Sequence, residues 1–221
     1  MPIIGSCILI SVTASQSKSD PDRRSAFLAA ARRLFVANGY AGTSVSSIVR
    51  EVGVAQGTFY LHFETKAQLL AQLQRGVARD YLHAFQRGTQ PPGDPADERL
   101  VRGLVAINEA VEAHRDLVGV FRAAASAEES QATMLQGRET LSWPLAGLIA
   151  EGVDQERFVA PDPRLSAHII LSVFDDLLYE SMVYAKPADN PTVLAASAQF
   201  VLTALGVAPA RATDVVSAIV T

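Results

Sequence analysis

A run of hydrogen-bonding side chains near residue 60 is the part of this 221-residue chain whose residue types point most directly to a chemical role. Val54 and Phe59 can anchor a short helix on a core, which leaves the other residues facing outward: Gln56, Gly57, Thr58, Tyr60 and His62. Amide, hydroxyl and imidazole groups can bond phosphate oxygens and base edges. The segment is therefore typical of a helix that contacts DNA.

A second amphipathic segment precedes this helix. Its apolar residues recur at the i, i+3, i+4, i+7 spacing of one helix face: Val45, Ile48, Val49 and Val52. Thr43 or Ser44 is placed as the N-cap, and Gly53 ends the helix and makes the turn. The two segments together predict a helix-turn-helix.

Two further helices must hold this motif. The first starts at Asp20-Pro21, buries a stripe that includes Phe27 and Phe35, and stops at Asn38-Gly39. The other starts at a capping box of Thr65 and Gln68 and runs to about Arg87. Because this fourth helix begins beside the motif and ends in the next region, it can connect the two mechanically.

The charge is divided unevenly along the chain. Residues 21–76 hold seven Lys/Arg and three Asp/Glu, a net charge of +4, whereas residues 77–221 hold eleven against nineteen, a net charge of −8. A basic N-terminal module on an acidic remainder is expected when only one end meets phosphate. This split supports DNA as the partner of the N-terminal module.

Composition excludes several other classes of protein. An apolar fraction of 49% is ample for cores, and a single cysteine cannot form an internal disulfide, so we expect a reducing, cytoplasmic compartment. No catalytic serine motif, P-loop, dinucleotide-binding glycine pattern or metal-ligand spacing is present, so we expect no enzyme, no cofactor and no metal. We expect residues 1–19 to be a disordered arm, because their apolar run lacks the basic residues of a signal and the length of a membrane span. No membrane partner is therefore expected.

The remainder of the chain predicts further helices. Thr89 to Asp97 is rich in proline and glycine and predicts a loop. Two later helices, at about 164–184 and 191–205, are apolar around most of their circumference. Such helices can pack on their own core and on a second subunit; the alternative is that they are the central core helices of a monomer.

The segment FLAAARRLFVANGYAGTSVSSIVREVGVAQGTFYLHFETKAQLL closely resembles the TetR family of bacterial transcriptional regulators over roughly residues 23–73. Its most specific elements are AARRLF, the NGY-x-x-TSV entry to the second helix, and GV-x-x-GT-x-Y-x-HF. One departure is Ala55, where many members of the family have a serine that caps the recognition helix. We expect this change to weaken the cap by roughly 1 kcal/mol.

The resemblance implies an all-α homodimer with an N-terminal three-helix helix-turn-helix DNA-binding domain and a C-terminal helical ligand-binding and dimerisation domain. We assign residues 20–65 to the DNA-binding domain, 66–88 to the connecting helix and 89–221 to the ligand-binding and dimerisation domain. The dimer would form through helices at about 164–184 and 191–205, and its partner would be a palindromic operator in double-stranded DNA.

The resemblance also implies roles for single residues at matching positions. The expected phosphate contacts are Thr43, Ser44, Tyr60, His62 and Lys66. Gln56 and Thr58 are the expected base readers, and Gly57 lets the backbone approach the DNA closely.

The family resemblance further implies a pocket for a small effector. Bulky and polar residues of the C-terminal helices are the candidates for its lining: His114, Phe121, Arg122, Met134, Trp143, Phe174, Asp175 and Tyr179. The expected function is a ligand-responsive regulator, most often a repressor, released from its operator by a small lipophilic molecule. The alternative is a small-molecule-binding or interaction protein that no longer reads DNA.

Overall fold

The computed structural model describes residues 20–125, 128–184 and 190–220 of the chain. Within these ranges the chain forms ten α-helices and no strand, which confirms the predicted all-α class. The predicted disordered arm, residues 1–19, lies outside the described residues.

The first three helices form the head, residues 20–65. The chain enters α1 (Asp20–Gly42), whose helical backbone breaks at Gly39 (φ 73°, ψ 164°), as the Asn38-Gly39 stop predicts. Ser44 caps α2 (Val45–Val52) by accepting from the Ser47 N–H, and Gly53 ends α2 in the left-handed conformation at φ 77°. A tight turn then leads into the recognition helix α3 (Gln56–Tyr60).

An aromatic core holds these helices together. Phe27 meets the edges of Phe59 and Phe63 at centroid distances of 5.5 and 6.1 Å, and all three rings are buried. Ile48 from α2 and Leu70, from the helix that follows the head, complete this core. The three helices therefore orient α3 as one packed unit.

Helix α4 (Lys66–Gly88) leads out of the head, and Thr65 caps it by accepting from the Gln68 N–H. In the predicted capping box the Gln68 side chain would accept from the backbone N–H of the N-cap, Thr65. It accepts instead from the N–H of Glu64, one residue earlier. Leu69 and Leu70 of α4 belong to the head core, whereas Phe85 belongs to the second core. The predicted connecting helix is thus shared between two hydrophobic cores.

The second core lies in the C-terminal region. Five helices follow the proline-rich loop: α5 (Ala96–Ala113), α6 (Arg115–Ala123), α7 (Glu128–Asp154), α8 (Pro163–Tyr184) and α9 (Asn190–Ala204). The bounds of α8 and α9 agree to within one residue with the helices predicted at about 164–184 and 191–205, and α7 continues through Pro144.

A tenth helix, α10 (Pro209–Ile219), follows the last segment predicted from the sequence. Its buried residues have helical spacing: Ala212, Val215 and Val216. Arg211 ties it to the start of α5 through bonds of 2.8 Å to the Asp97 carboxylate and 2.6 Å to Glu98. The sequence signal for this helix is a proline at its first position, Pro209, followed by apolar residues at helical spacing.

Candidate DNA interface and ligand cavity

The recognition helix α3 exposes, wholly or in part, the residues that were predicted to contact DNA. Gln56 and Gly57 are exposed, Thr58 is half-buried, and Tyr60 is 54% exposed, whereas the intervening Phe59 is fully buried. Phe59 is the anchor because it packs on Phe27, so its neighbours must face outward. The geometry therefore presents an amide, a bare backbone and two hydroxyls on one surface.

Arg24 of α1 holds the C-terminal end of α3 in place. Arg24 donates to the His62 carbonyl oxygen at 3.1 Å, and its guanidinium lies 4.6 Å from the centre of the Phe63 ring. His62 itself is half-buried, with its ring 5.7 Å from that of Phe27. The start of the same helix has no such support, because Ala55 makes no side-chain cap.

Lys66 has an internal role that differs from the expected phosphate contact. Its ammonium donates to the carbonyl oxygens of Tyr40 and Thr43, both at 2.7 Å, and lies 4.2 Å from the Tyr40 ring centre. Burial lowers the pKa of Lys66 below that of an exposed lysine. This lysine therefore clamps the α1–α2 turn by bonding two of its carbonyl oxygens.

Thr43 is likewise internal. Its hydroxyl donates to the Leu34 and Gly39 carbonyl oxygens at 3.1 and 2.9 Å, and the residue is 1% exposed. The N-cap of α2 is Ser44. Of the adjacent residues Thr43 and Ser44, only Ser44 presents its side chain to solvent. Ser46, which the sequence did not single out, is also exposed and lies 3.2 Å from Ser44, oxygen to oxygen.

Part of the basic excess of residues 21–76 is also used internally. Besides Arg24 and Lys66, Arg33 pairs with Glu51 at 3.1 Å, and Arg32 pairs with Asp116 of α6 at 2.7 Å. Net charge therefore overstates how much positive charge the head can offer to phosphates.

A cavity of about 420 Å³ lies between α4, α5, α6, α7 and α8. Four residues expected to line a pocket are in its wall: Phe121, Arg122, Met134 and Phe174. Aliphatic residues make up much of the remainder, among them Val77, Leu104, Ile107, Val111, Leu141 and Leu171. Its size and apolar lining are those of a small-molecule site.

Two expected lining residues lie elsewhere. His114 is at the α5–α6 junction, where Nε2 lies 3.0 Å from the Asp80 carboxylate and Nδ1 lies 3.4 Å from Arg32. Trp143 is 59% exposed and stacks under Arg164 at 4.2 Å. The cavity face of α7 carries residues 134, 137, 138 and 141, and helical rotation turns position 143 away from it.

The side chains of the other two expected lining residues, Asp175 and Tyr179, lie outside what the structure describes. Their neighbour Asp176 is a wall residue and accepts from Arg122 at 2.9 Å. The α4 contribution to the wall was missed by sequence reasoning: Gln74, Val77, Ala78 and Tyr81. Small and aliphatic residues on an amphipathic helix give the same signal as ordinary core.

Comparison with known proteins bears on both regions. Residues 27–73 match the family model described as bacterial regulatory proteins of the tetR family. The transcriptional regulator EthR of Mycobacterium tuberculosis is 28% identical over 178 residues, which cover 79% of this chain and 81% of that protein. The repressor KstR2 of the same organism is 24% identical over 187 residues, which cover 83% and 92%.

The chain is similar to regulators of the TetR family. Solved structures share the fold along most of the length of this chain. The fatty acid degradation regulator FadR from Bacillus halodurans superposes with a TM-score of 0.73 at 21% identity, covering 86% of this chain and 98% of that one. GusR of Salmonella enterica gives 0.71 at 21% identity, covering 86% and 98%.

Two helices of this chain belong to both the head core and the cavity wall. On α4, Leu70 is in the head core and Val77 in the cavity wall. On α6, Val120 is in the head core, whereas Phe121 packs against that core and also lines the cavity. A molecule in the cavity therefore touches the same helices that support the head.

An ion pair also joins α6 to α1 of the head. Arg32 of α1 donates to both carboxylate oxygens of Asp116 at the start of α6, at 2.7 and 3.0 Å. Hydrogen bonding from Arg32 lowers the pKa of Asp116, and Asp116 raises the pKa of Arg32. This bidentate pair fixes α1 against α6.

No helix in the described part of the chain is both long and apolar enough to cross a membrane. Among the same residues, no three potential metal ligands come together.

Proposed function

We propose that this TetR-family regulator binds a palindromic operator as a homodimer, represses transcription there, and leaves the DNA when a small apolar molecule fills the cavity between α4 and α8. The observation that carries the proposal is the sharing of α4 and α6 between the head core and the cavity wall. The repressor name of KstR2 supports repression. Such a protein acts in the cytoplasm, on the nucleoid.

The DNA contacts divide by exposure. Gln56 and Thr58 read base edges, and Gly57 allows the backbone of α3 to come close. Ser44, Ser46, Tyr60 and His62 contact phosphates and set the register. Lys66 acts indirectly, by holding the turn that precedes Ser44.

Exposed apolar residues support a dimer. Leu165 and Ile169 of α8 are 56% and 54% exposed, and Phe200 of α9 is 60% exposed. These residues lie on the two helices predicted to pair with a second subunit, and large exposed apolar side chains on adjacent helices are typical of interfaces. Ile169→Glu should therefore convert the dimer to monomer in sedimentation experiments, whereas Leu135→Glu, on another exposed apolar position, should leave it a dimer.

The switch follows from geometry and linkage. A dimer must place two recognition helices in successive major grooves, about 34–36 Å apart. A ligand that prefers a displaced α4 or α6 changes this separation and shifts the population off the operator. By reciprocity, saturating operator DNA must weaken ligand binding by the same factor.

The first test is selection of bound sequences from a random duplex library by the purified, ligand-free dimer at two salt concentrations. We expect a salt-sensitive palindrome. Gln56→Ala should relax the preference at one position of each half-site, Tyr60→Phe should weaken binding to all sequences, and Gln136→Ala, an exposed glutamine on α7, should change neither.

Failure of the folded, ligand-free protein to enrich any motif would contradict DNA reading. It would favour the alternative, a small-molecule-binding protein that no longer reads DNA.

A further inference from the structure

One polar side chain in the cavity wall is buried and only partly satisfied. Gln74 of α4 is 5% exposed, and its Nε2 donates to Ser130 Oγ of α7 at 2.8 Å. Its Oε1 is buried without a hydrogen-bond partner among the described residues. An unsatisfied buried carbonyl is costly, so a donor that reaches it gains more than the same bond would in water.

The surroundings of Gln74 specify what can supply that donor. Val77 and Ala78 adjoin it on α4, and Leu104, Ile107 and Leu141 lie in the same wall. An occupant that fits this wall must be mostly apolar, because unmatched polar groups would lose their hydration there.

The charges in the wall argue against an ionised occupant. Arg122 is paired with Asp176 at 2.9 Å, and these side chains are 32% and 76% exposed, so the pair lies toward solvent. Arg138 Nη1 is directed to Ser172 Oγ at 3.4 Å. A carboxylate would have to compete with Asp176 for Arg122, whereas a neutral donor meets Gln74 without displacing any of these contacts.

We propose that the cavity selects a neutral, largely apolar molecule carrying a hydroxyl or N–H group that donates to Gln74 Oε1. This inference rests on the proposed function and names the chemical class of its effector. Gln74 lies one turn beyond Leu70, which is in the head core, so the hydrogen bond is made on the helix that links cavity and head.

Three ten-carbon probes separate the chemistries. 1-Decanol offers a donor, methyl nonyl ether is its isomer with an acceptor only, and decanoate offers an anion. Dissociation constants are measured by calorimetry without DNA, on wild type, Gln74→Leu and Gln74→Met. The matched control is Gln136→Leu, which removes an exposed glutamine of α7 that does not line the cavity.

We expect wild type to bind the alcohol about tenfold more tightly than the ether, since the ether leaves Oε1 unpaired. Both Gln74 variants should lose this preference while binding the ether at least as well as wild type does, and Gln136→Leu should retain it. The two Gln74 variants should unfold at about the same temperature as wild type, because removal of the unpaired carbonyl offsets loss of the bond to Ser130 Oγ.

Equal affinity for alcohol and ether in wild type would overturn the inference. So would tighter binding of decanoate, failure of all three probes to bind, or a preference that survives in both Gln74 variants.

The proposed function has a separate readout. A Gln74-dependent preference for the alcohol whose affinity is unchanged by saturating operator would uphold the ligand class and overturn ligand-controlled DNA release. Equal affinity of wild type for the alcohol and the ether, together with binding of both that saturating operator weakens, would overturn the ligand class and uphold ligand-controlled DNA release.

Discussion

The head and the region around the cavity differ in how completely their buried polar groups are hydrogen-bonded. In the head, the Thr43 hydroxyl and the Lys66 ammonium each donate to two backbone carbonyls. Among the described residues, the buried side-chain atoms without a partner all lie beyond the head: Gln74 Oε1, Arg102 Nε and Asn108 Oδ1. The same region holds the cavity.

This contrast separates a rigid reader from an adaptable sensor. A fully packed and satisfied core has one favoured arrangement, so the head should move as a unit. A region with space and unmet hydrogen bonds gains stability when a molecule fills it, and this gain is the free energy available for switching.

The largest expected effect is on the head core. Phe59→Ala should lower the free energy of unfolding by about 3–5 kcal/mol, because the ring is fully buried between Phe27 and Phe63. Met134→Ala, on the half-buried cavity wall, should cost less than half as much. Denaturant unfolding measures both, and equal costs would break the contrast between the two regions.

Lys66 gives the next largest effect. Lys66→Met should destabilise the protein by about 2 kcal/mol through loss of two charge-assisted hydrogen bonds, whereas Arg50→Met, on an exposed position, should cost less than about 0.5 kcal/mol. The salt dependence of DNA binding by folded Lys66→Met should equal that of wild type. A slope reduced by about one would mean that Lys66 contacts a phosphate.

Ala55 is the place where the head can be improved. Ala55→Ser should stabilise the protein by about 1 kcal/mol, because its hydroxyl can accept from the first turn of α3, where no side-chain cap exists. Ala55→Val serves as the control, since it adds atoms but no acceptor. A thermal shift of equal size in both variants would contradict the capping explanation.

The pair between head and α6 should have the smallest effect, and it should depend on pH. Because Arg32 lowers the pKa of folded Asp116, the unfolded state binds the proton more tightly, and the pair stabilises only above the folded pKa. Asp116→Asn should cost about 0.5 kcal/mol near neutral pH, since both partners are over a third exposed. The difference from wild type should vanish as the pH falls well below about 4, and a constant difference in urea unfolding would exclude titration as its source.

The fold of the head could be predicted because its signals are local. Gly53 and Ser44 mark helix ends through conformations and hydrogen bonds made within a few residues, and the spacing of Ile48 and Val49 marks one face. The outward face of α3 followed from the buried position of Phe59.

The roles of Lys66 and Thr43 could not be predicted in the same way. Both are polar residues at helix starts, where an exposed phosphate contact and an internal clamp have the same sequence pattern. Only tertiary packing brings the Tyr40 carbonyl to Lys66 across 26 positions of sequence.

The residues that line the cavity were harder to predict from the sequence than those of the head. Phe121 and Phe174 were identified by size, but Trp143 is equally bulky and lies at the surface. Gln74 carries no local signal, because its role depends on Ser130, 56 positions away. Long-range placement of this kind is not encoded in periodicity.

The shared wall of the cavity also bears on how such a sensor can acquire a new specificity. Met134 on α7 and Leu171 on α8 face the cavity but have no place in the head core, so they can be changed without disturbing the DNA-binding unit. Wall residues of α4 and α6 lie on helices that also support the head. Variation in ligand preference, whether by evolution or in a biosensor library, should therefore accumulate first on α7 and α8, while α4 and α6 change slowly.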